Sequence, residues 1–201
     1  MASIRGIDAG DVAAAASLGR VIRQVAWADR PDRESGGIAA GVSAALVGRD
    51  SWLGRARGPE NVVLVRGERS GTTVFAGQGA GGDATAVAVV SDLLAITHQR
   101  SVPRPWPAPS TGGASAGAAV PHYVRVSRPE AGGPHSPPRL LEGAGLAVDR
   151  LLARQEGGAE GWAALVRPCR QVDLDRALEP LVPAGGTAGG VISLPLIDAD
   201  A

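Results

Sequence analysis

The chain has 201 residues with 20 basic and 20 acidic side chains, a formal charge of zero, so bulk electrostatics offers nothing to hold a nucleic acid or an anionic membrane. Every basic residue is arginine, which excludes from these residues any chemistry that needs a lysine acid, base or Schiff base. A hydrophobic fraction of 44% with only 3% aromatics predicts a core of alanine and branched aliphatics, and the single cysteine, Cys169, excludes an internal disulfide framework.

In chain order, Asp8 or Asp11 is placed to cap a short helix that runs to Leu18 and stops at Gly19. Val21 to Ala28 alternates as a strand, Arg30 to Gly37 reads as a turn, and Ile38 to Val47 forms a second strand. After a polar connection carrying Trp52, Asn61 to Arg66 and Thr72 to Ala76 read as a hairpin around Gly67-Glu68-Arg69-Ser70-Gly71. A helix from Thr85 to about His98 then puts Val87, Val90, Leu94 and Ala95 on one face, the pattern of a helix packed on a sheet.

Residues 101–120 are rich in Pro, Gly, Ala and Ser without periodicity and read as a linker between a first domain, 1–100, and a second, 121–201. In the second, His122 to Val126 is a strand, a short helix lies around Arg139 to Ala144, and Leu146 to Leu152 and Trp162 to Arg167 are strands. A capped helix from Asp173 to Leu181 and a last strand, Val191 to Leu196, complete it. The order β-α-β-β-α-β predicts a ferredoxin-like sandwich, and the chain as a whole an α+β fold. No apolar run reaches the roughly 18 residues of a membrane span and the N-terminus lacks an apolar signal core, so a soluble cytoplasmic protein is expected.

Chemistry is suggested at one place, the run from Thr72 to Thr85. A β-branched stretch, a knot of glycines and a helix-length segment read as strand, tight loop and helix, where backbone N–H groups can face a phosphate. Gly77, Gly79 and Gly82 fit G-x-G-x-x-G, but a dinucleotide fold needs a second parallel strand after the helix. Arg100 to Pro109, with prolines at 103, 105, 107 and 109, cannot supply it. A phosphate-facing loop and a tight turn that binds nothing both remain open on spacing alone.

Elsewhere ordinary roles suffice. His98, His122 and His135 have no Cys or acidic partner at metal-ligand spacing, so no metal site is expected, and Cys169 reads as a small buried hydrophobe. No G-x-S-x-G elbow supports a hydrolase triad. Glu156 with Glu160, and Asp173 with Asp175, are explained by solvation and helix capping, and the Trp106 segment by the linker.

Taken together, Gly6-Ile7-Asp8, Asp11-Val12 and Gly19-Arg20-Val21-Ile22-Arg23, then Asn61-Val62-Val63, then Gly77-Gln78-Gly79-Ala80-Gly81 through Thr85-Ala86-Val87 to Asp92, resemble the C-terminal part of bacterial homoserine dehydrogenases. His122 to Val126 and Gly145 to Arg150 resemble the opening of the ACT-type regulatory domain appended to some of them. The resemblance implies a partial catalytic domain, a mixed sheet with helices, followed by an ACT-like domain. It implies NAD(P) as cofactor, contacted by a loop in which Gly79, Gly81 and Thr85 are the candidate residues, and a place in threonine and methionine biosynthesis.

The family's nucleotide-binding fold and catalytic lysine have no counterpart in these residues, so no catalytic residue is assigned and the chain alone is expected to be inactive. A homo-oligomer, or a partner chain carrying the nucleotide domain, is implied. Ala84 stands where the family has the proline of its PTA motif, and Ser127 to Ser136 replaces its D-R-x-G effector turn, which argues against an amino-acid effector. The alternative reading is a noncatalytic ACT-containing regulatory or dimerisation module.

Overall fold

The computed structural model describes residues 4–29, 38–98, 119–127, 141–143, 145–152, 161–179 and 190–198. After a 3-10 turn at Ile4–Gly6, helix α1 (Ala9–Ser17) starts from a capping box. The Asp11 N–H donates to Asp8 Oδ1 at 3.0 Å and the Asp8 N–H donates to Asp11 Oδ2 at 2.9 Å, so both candidate caps serve one helix start. Gly19, at φ 67°, ends the helix in the left-handed region.

Strands β1 (Arg20–Asp29) and β2 (Ala39–Gly48) pair antiparallel along their whole length, Arg20 opposite Gly48 and Asp29 opposite Ala39. Helix α2 (Trp52–Arg55), a single turn capped by Ser51 Oγ, occupies what the sequence reads as plain connection. Arg23 donates to the Gly54 and Ala56 carbonyls, both at 3.0 Å, and ties this turn to β1. Strands β3 (Glu60–Gly67) and β4 (Gly71–Gln78) form the expected hairpin, a two-stranded sheet of its own. Helix α3 (Gly82–Thr97) follows.

In the second half, β5 (Val120–Ser127), β6 (Val148–Leu152), β7 (Gly161–Cys169), helix α4 (Gln171–Leu178) and β8 (Val191–Ile197) appear in that order. The helix expected around residues 139–144 is described only as a helical turn at 141–143. Helix α4 does not start from an aspartate cap as expected: Arg170 is its N-cap, and Asp173 lies in the first turn, held by Arg170 Nε and Nη2 at 2.8 and 3.1 Å. The end of that helix expected at Leu181 lies outside the described residues, as do the turn at 30–37 and nearly all of the linker.

The strands of both halves join in one mixed six-stranded sheet, β1-β2-β8-β5-β7-β6. The four strands of the second half pair antiparallel, and β2 meets β8 in parallel at Leu46 with Leu196 and Val47 with Ile197. Arg20 Nη2 reinforces the seam, 2.7 Å from Asp198 Oδ1 just past β8, and Arg66 Nη2 donates to the Asp198 carbonyl at 3.2 Å, tying in the hairpin.

Strand β5 is buried on both faces, and alternation along it sorts two cores. Tyr123 packs with Ala14 and Ala15 of α1, Leu46 of β2, Leu165 of β7 and Leu194 of β8. Val124 and Val126 pack on the other side with Leu141, Leu146, Val166 and, from α4, Leu174 and Leu178. Helix α1 therefore lies on the sheet face that a βαββαβ unit by itself leaves open.

Helix α3 departs from expectation. Its Val87, Val90 and Leu94 are more than half exposed and none of its residues is buried, so it is not packed on a sheet. No helix among the described residues is long and apolar enough to cross a membrane.

Candidate functional site: a glycine loop at the start of a helix

The β3–β4 register places Gly77 opposite Asn61, and β4 ends one residue later at Gln78. The Gly79 N–H then donates to the Pro59 carbonyl at 2.8 Å, pinning the loop to the strand entry. A Cβ on Gly79 would overlap the Asn61 carboxamide, so local packing accounts for this glycine without a ligand. Gly81 is the N-cap of α3 with φ 121° and ψ 153°, a region that side-chain-bearing residues rarely occupy. Nothing lies within 4 Å of the position its Cβ would take, so backbone shape and not crowding demands the glycine.

Helix α3 consequently starts at Gly82, three residues before the start expected at Thr85. Its N-terminus has no side-chain cap. Thr85 turns inward: its Oγ1 donates to the Gly81 carbonyl at 2.9 Å and its N–H to the same oxygen at 3.1 Å. The arrangement brings Gly81 and Thr85 together and leaves the first-turn N–H groups facing outward at the positive end of a 16-residue helix. Such a helix end attracts negative charge, although Asp83 in the first turn already supplies some and weakens its pull on a second anion. The loop is exposed throughout. Among the described residues β4 pairs only with β3, antiparallel, so no parallel β-α-β unit surrounds the glycines.

Two polar clusters in the second half were not legible as contacts in the sequence. Arg125, 3% exposed, lies with its Nε 3.0 Å from Asp11 Oδ1. Its Nη1 donates to Asp8 Oδ2 at 3.1 Å and Ser127 Oγ at 2.8 Å, and its Nη2 to the Gly6 carbonyl at 2.6 Å. The Tyr123 hydroxyl donates to Asp11 Oδ1 at 2.8 Å. The capping aspartates of α1 thus also neutralise a buried cation from β5.

In the second cluster His122, 1% exposed, has Nε2 3.1 Å from Gln171 Oε1 and Nδ1 3.6 Å from Cys169 Sγ. Gln171 Nε2 donates onward to Asp175 Oδ1 at 2.7 Å and Ser193 Oγ at 3.3 Å. Cys169 borders a cavity of about 610 Å³ lined also by Leu146, Arg170, Asp173 and Arg176. Burial, then the nearby Asp173 carboxylate, push the thiol above its ordinary value, so it is no activated nucleophile.

Burial holds the His122 imidazole below its ordinary value, against the opposing pull of the Gln171 hydrogen bond. The unfolded chain then takes up this proton first as pH falls, so the contribution is complete above about 6.5 and is lost as pH drops through the folded value. The midpoint of urea unfolding is expected to fall between pH 7 and 5, and to fall less in His122→Gln; equal slopes in the two proteins would rule this out.

Among the described residues no three His, Cys, Asp or Glu side chains are grouped to hold a metal. His98 is the exposed C-cap of α3, while His135, Glu156, Glu160 and Trp106 lie outside the described residues.

Residues 1–94 match the family model for homoserine dehydrogenase. The homoserine dehydrogenase of Synechocystis is 40% identical over 94 residues, 46% of this chain and 22% of that protein. That of Mycobacterium bovis is 34% identical over 99 residues, 48% of this chain and again 22% of the relative. Among solved structures, the homoserine dehydrogenase from Thiobacillus denitrificans superposes with a TM-score of 0.70 at 23% identity, over 98% of this chain and 47% of that one. The Staphylococcus aureus enzyme at pH 7.5 does so with 0.65 at 21% identity, over 97% and 46%.

The chain thus spans about a fifth of the curated relatives it matches and just under half of the solved structures. The family model matches the first half, whereas the shared fold runs through both. The first 94 residues are thus similar to the homoserine dehydrogenase family, and the chain shares the fold of its solved members.

Proposed function

We propose that this chain is the cofactor-facing second portion of an NAD(P)-dependent homoserine dehydrogenase, which interconverts homoserine and aspartate semialdehyde in threonine and methionine biosynthesis. The observation that carries the reading is the glycine loop, inside the family match and followed by an uncapped helix start. Gly81 and Thr85 form the wall that closes over the cofactor, with Gly79 setting the loop against Asn61. Bound NAD(P) supplies the hydride chemistry. These residues contribute backbone N–H donors and exclude water, and the nucleotide-binding fold and catalytic lysine come from elsewhere, so the chain alone is inactive. The site belongs in the cytoplasm, in a homo-oligomer or beside a chain that carries the nucleotide domain.

The test is a fluorescence titration of NADPH into this chain mixed with the part of the Synechocystis enzyme that precedes its matched segment. Gly81→Ala, which places a Cβ at φ 121°, is expected to weaken binding roughly tenfold, in line with the ~1–3 kcal/mol strain of such a position. Unchanged affinity would place the loop away from the cofactor.

A second reading is a noncatalytic ACT-type regulatory or dimerisation module at 121–201. The antiparallel order β8-β5-β7-β6 favours it, since that is the order of a β-α-β-β-α-β sandwich. It predicts that Gly81→Ala is silent.

A further inference from the structure

Arg170 at the N-cap of α4, with Asp173, Arg176 and Ala177 of the helix itself, lines the cavity of about 610 Å³, while Leu174 and Leu178 of the same helix pack into the core. That volume lies within the roughly 300–1,000 Å³ of small-molecule sites. Leu146 before β6, and Pro168 and Cys169 at the end of β7, give the rest of the lining an apolar character.

The charged groups of this lining select the chemistry of an occupant. Arg170 and Asp173 are already joined, with Nε and Nη2 of the guanidinium 2.8 and 3.1 Å from the two carboxylate oxygens. Arg176 makes no hydrogen bond or ion pair among the described residues, so its guanidinium is left over. Two guanidinium groups against one carboxylate leave a surplus of a single positive charge on the lining. A free arginine fork matches the two oxygens of a carboxylate.

We propose that this cavity binds a small monocarboxylate with an aliphatic body, its carboxylate on Arg176 and its hydrocarbon against Leu146, Pro168 and Ala177. The inference stands independently of the function proposed above. An α-amino acid is the poorer occupant, because its ammonium would meet the two guanidinium groups and the carboxylate of the lining, Asp173, is already held by Arg170. Ala119 on the lining precedes β5 and Ser127 ends that strand. The cavity therefore lies at the other end of β5 from the Ser127 to Ser136 segment, where the resemblance would put an effector turn.

Cys169 is the single cysteine of the chain and is half-buried on this lining, so it reports occupancy. The experiment follows alkylation of Cys169 by N-ethylmaleimide in the 201-residue chain while hexanoate is titrated in, with calorimetry in parallel. Hexanoate is expected to bind one-to-one and to slow alkylation roughly tenfold at saturation, since a ligand seated beside the thiol keeps the reagent from it. Arg176→Ala is expected to weaken binding roughly tenfold, the loss of a charge-assisted contact, and, because Arg176 is exposed, to leave the urea midpoint unchanged.

Equal protection by hexanamide would show that the anion is not recognised, and equal protection by inorganic phosphate that the apolar lining is not used; either result would overturn the proposal. So would tighter binding of leucine than of hexanoate, which would assign the cavity to a zwitterion. Unaltered hexanoate affinity in Arg176→Ala, or binding that leaves the alkylation rate unchanged, would seat the ligand elsewhere and contradict it as well.

Discussion

Arg125→Ala is expected to cost about 3–5 kcal/mol of folding stability, the penalty for removing one partner of a buried ion pair. The guanidinium is held by Asp8, Asp11, Ser127 and the Gly6 carbonyl, and its loss strands the Asp11 carboxylate, 1% exposed, with the Tyr123 hydroxyl as its remaining side-chain donor across the core. With typical domain stability near 5–15 kcal/mol, the variant should be largely unfolded at 37 °C. Arg125→Met combined with Asp11→Leu removes both charges and should recover much of the loss. A double variant as unstable as the single one would show that the side chains act by shape and not as a pair.

Leu194→Ala is the second large effect, about 2–5 kcal/mol. Leu194 is fully buried in the core that α1, β2, β5 and β7 share, and β8 is the strand through which the two halves of the sheet meet. A cavity at this seam should destabilise both halves together. Fluorescence of Trp27 and Trp52 in the first half and Trp162 in the second, read in single-tryptophan variants, should therefore give coincident urea transitions in the parent and in Leu194→Ala. Separate midpoints would mean that the halves fold independently despite the shared sheet.

Local features were largely legible in the sequence. Strands with one buried face alternate, and the Asp8/Asp11 spacing announced a capping box, so α1, β1, β2 and the β3–β4 hairpin fall close to their expected bounds. Helix α3 starts earlier than its periodicity suggests because Gly81 makes the turn with its backbone, which leaves no side-chain signal. Helix α4 starts earlier because Arg170 engages Asp173 within the first turn.

Long-range features were not legible. The parallel seam rests on two residue pairs, too few to impress a pattern on β2 or β8. Arg125 reads as a surface cation in a strand, because its partners lie 117 and 114 positions away, at Asp8 and Asp11. For α3, periodicity reports that a helix is apolar and not what covers it. For the glycine loop, spacing left a ligand wall and a tight turn equally open. The structure divides the roles: Gly79 answers to Asn61, while Gly81 and Thr85 shape the helix start.

The most direct test of the central claim is NADPH-dependent reduction of aspartate semialdehyde, measured at 340 nm, by this chain, by the Synechocystis homoserine dehydrogenase lacking its matched segment, and by the two mixed. Turnover in the mixture alone is the predicted result. A mixture that assembles and binds NADPH but gives no turnover, or turnover by this chain unaided, would contradict the account.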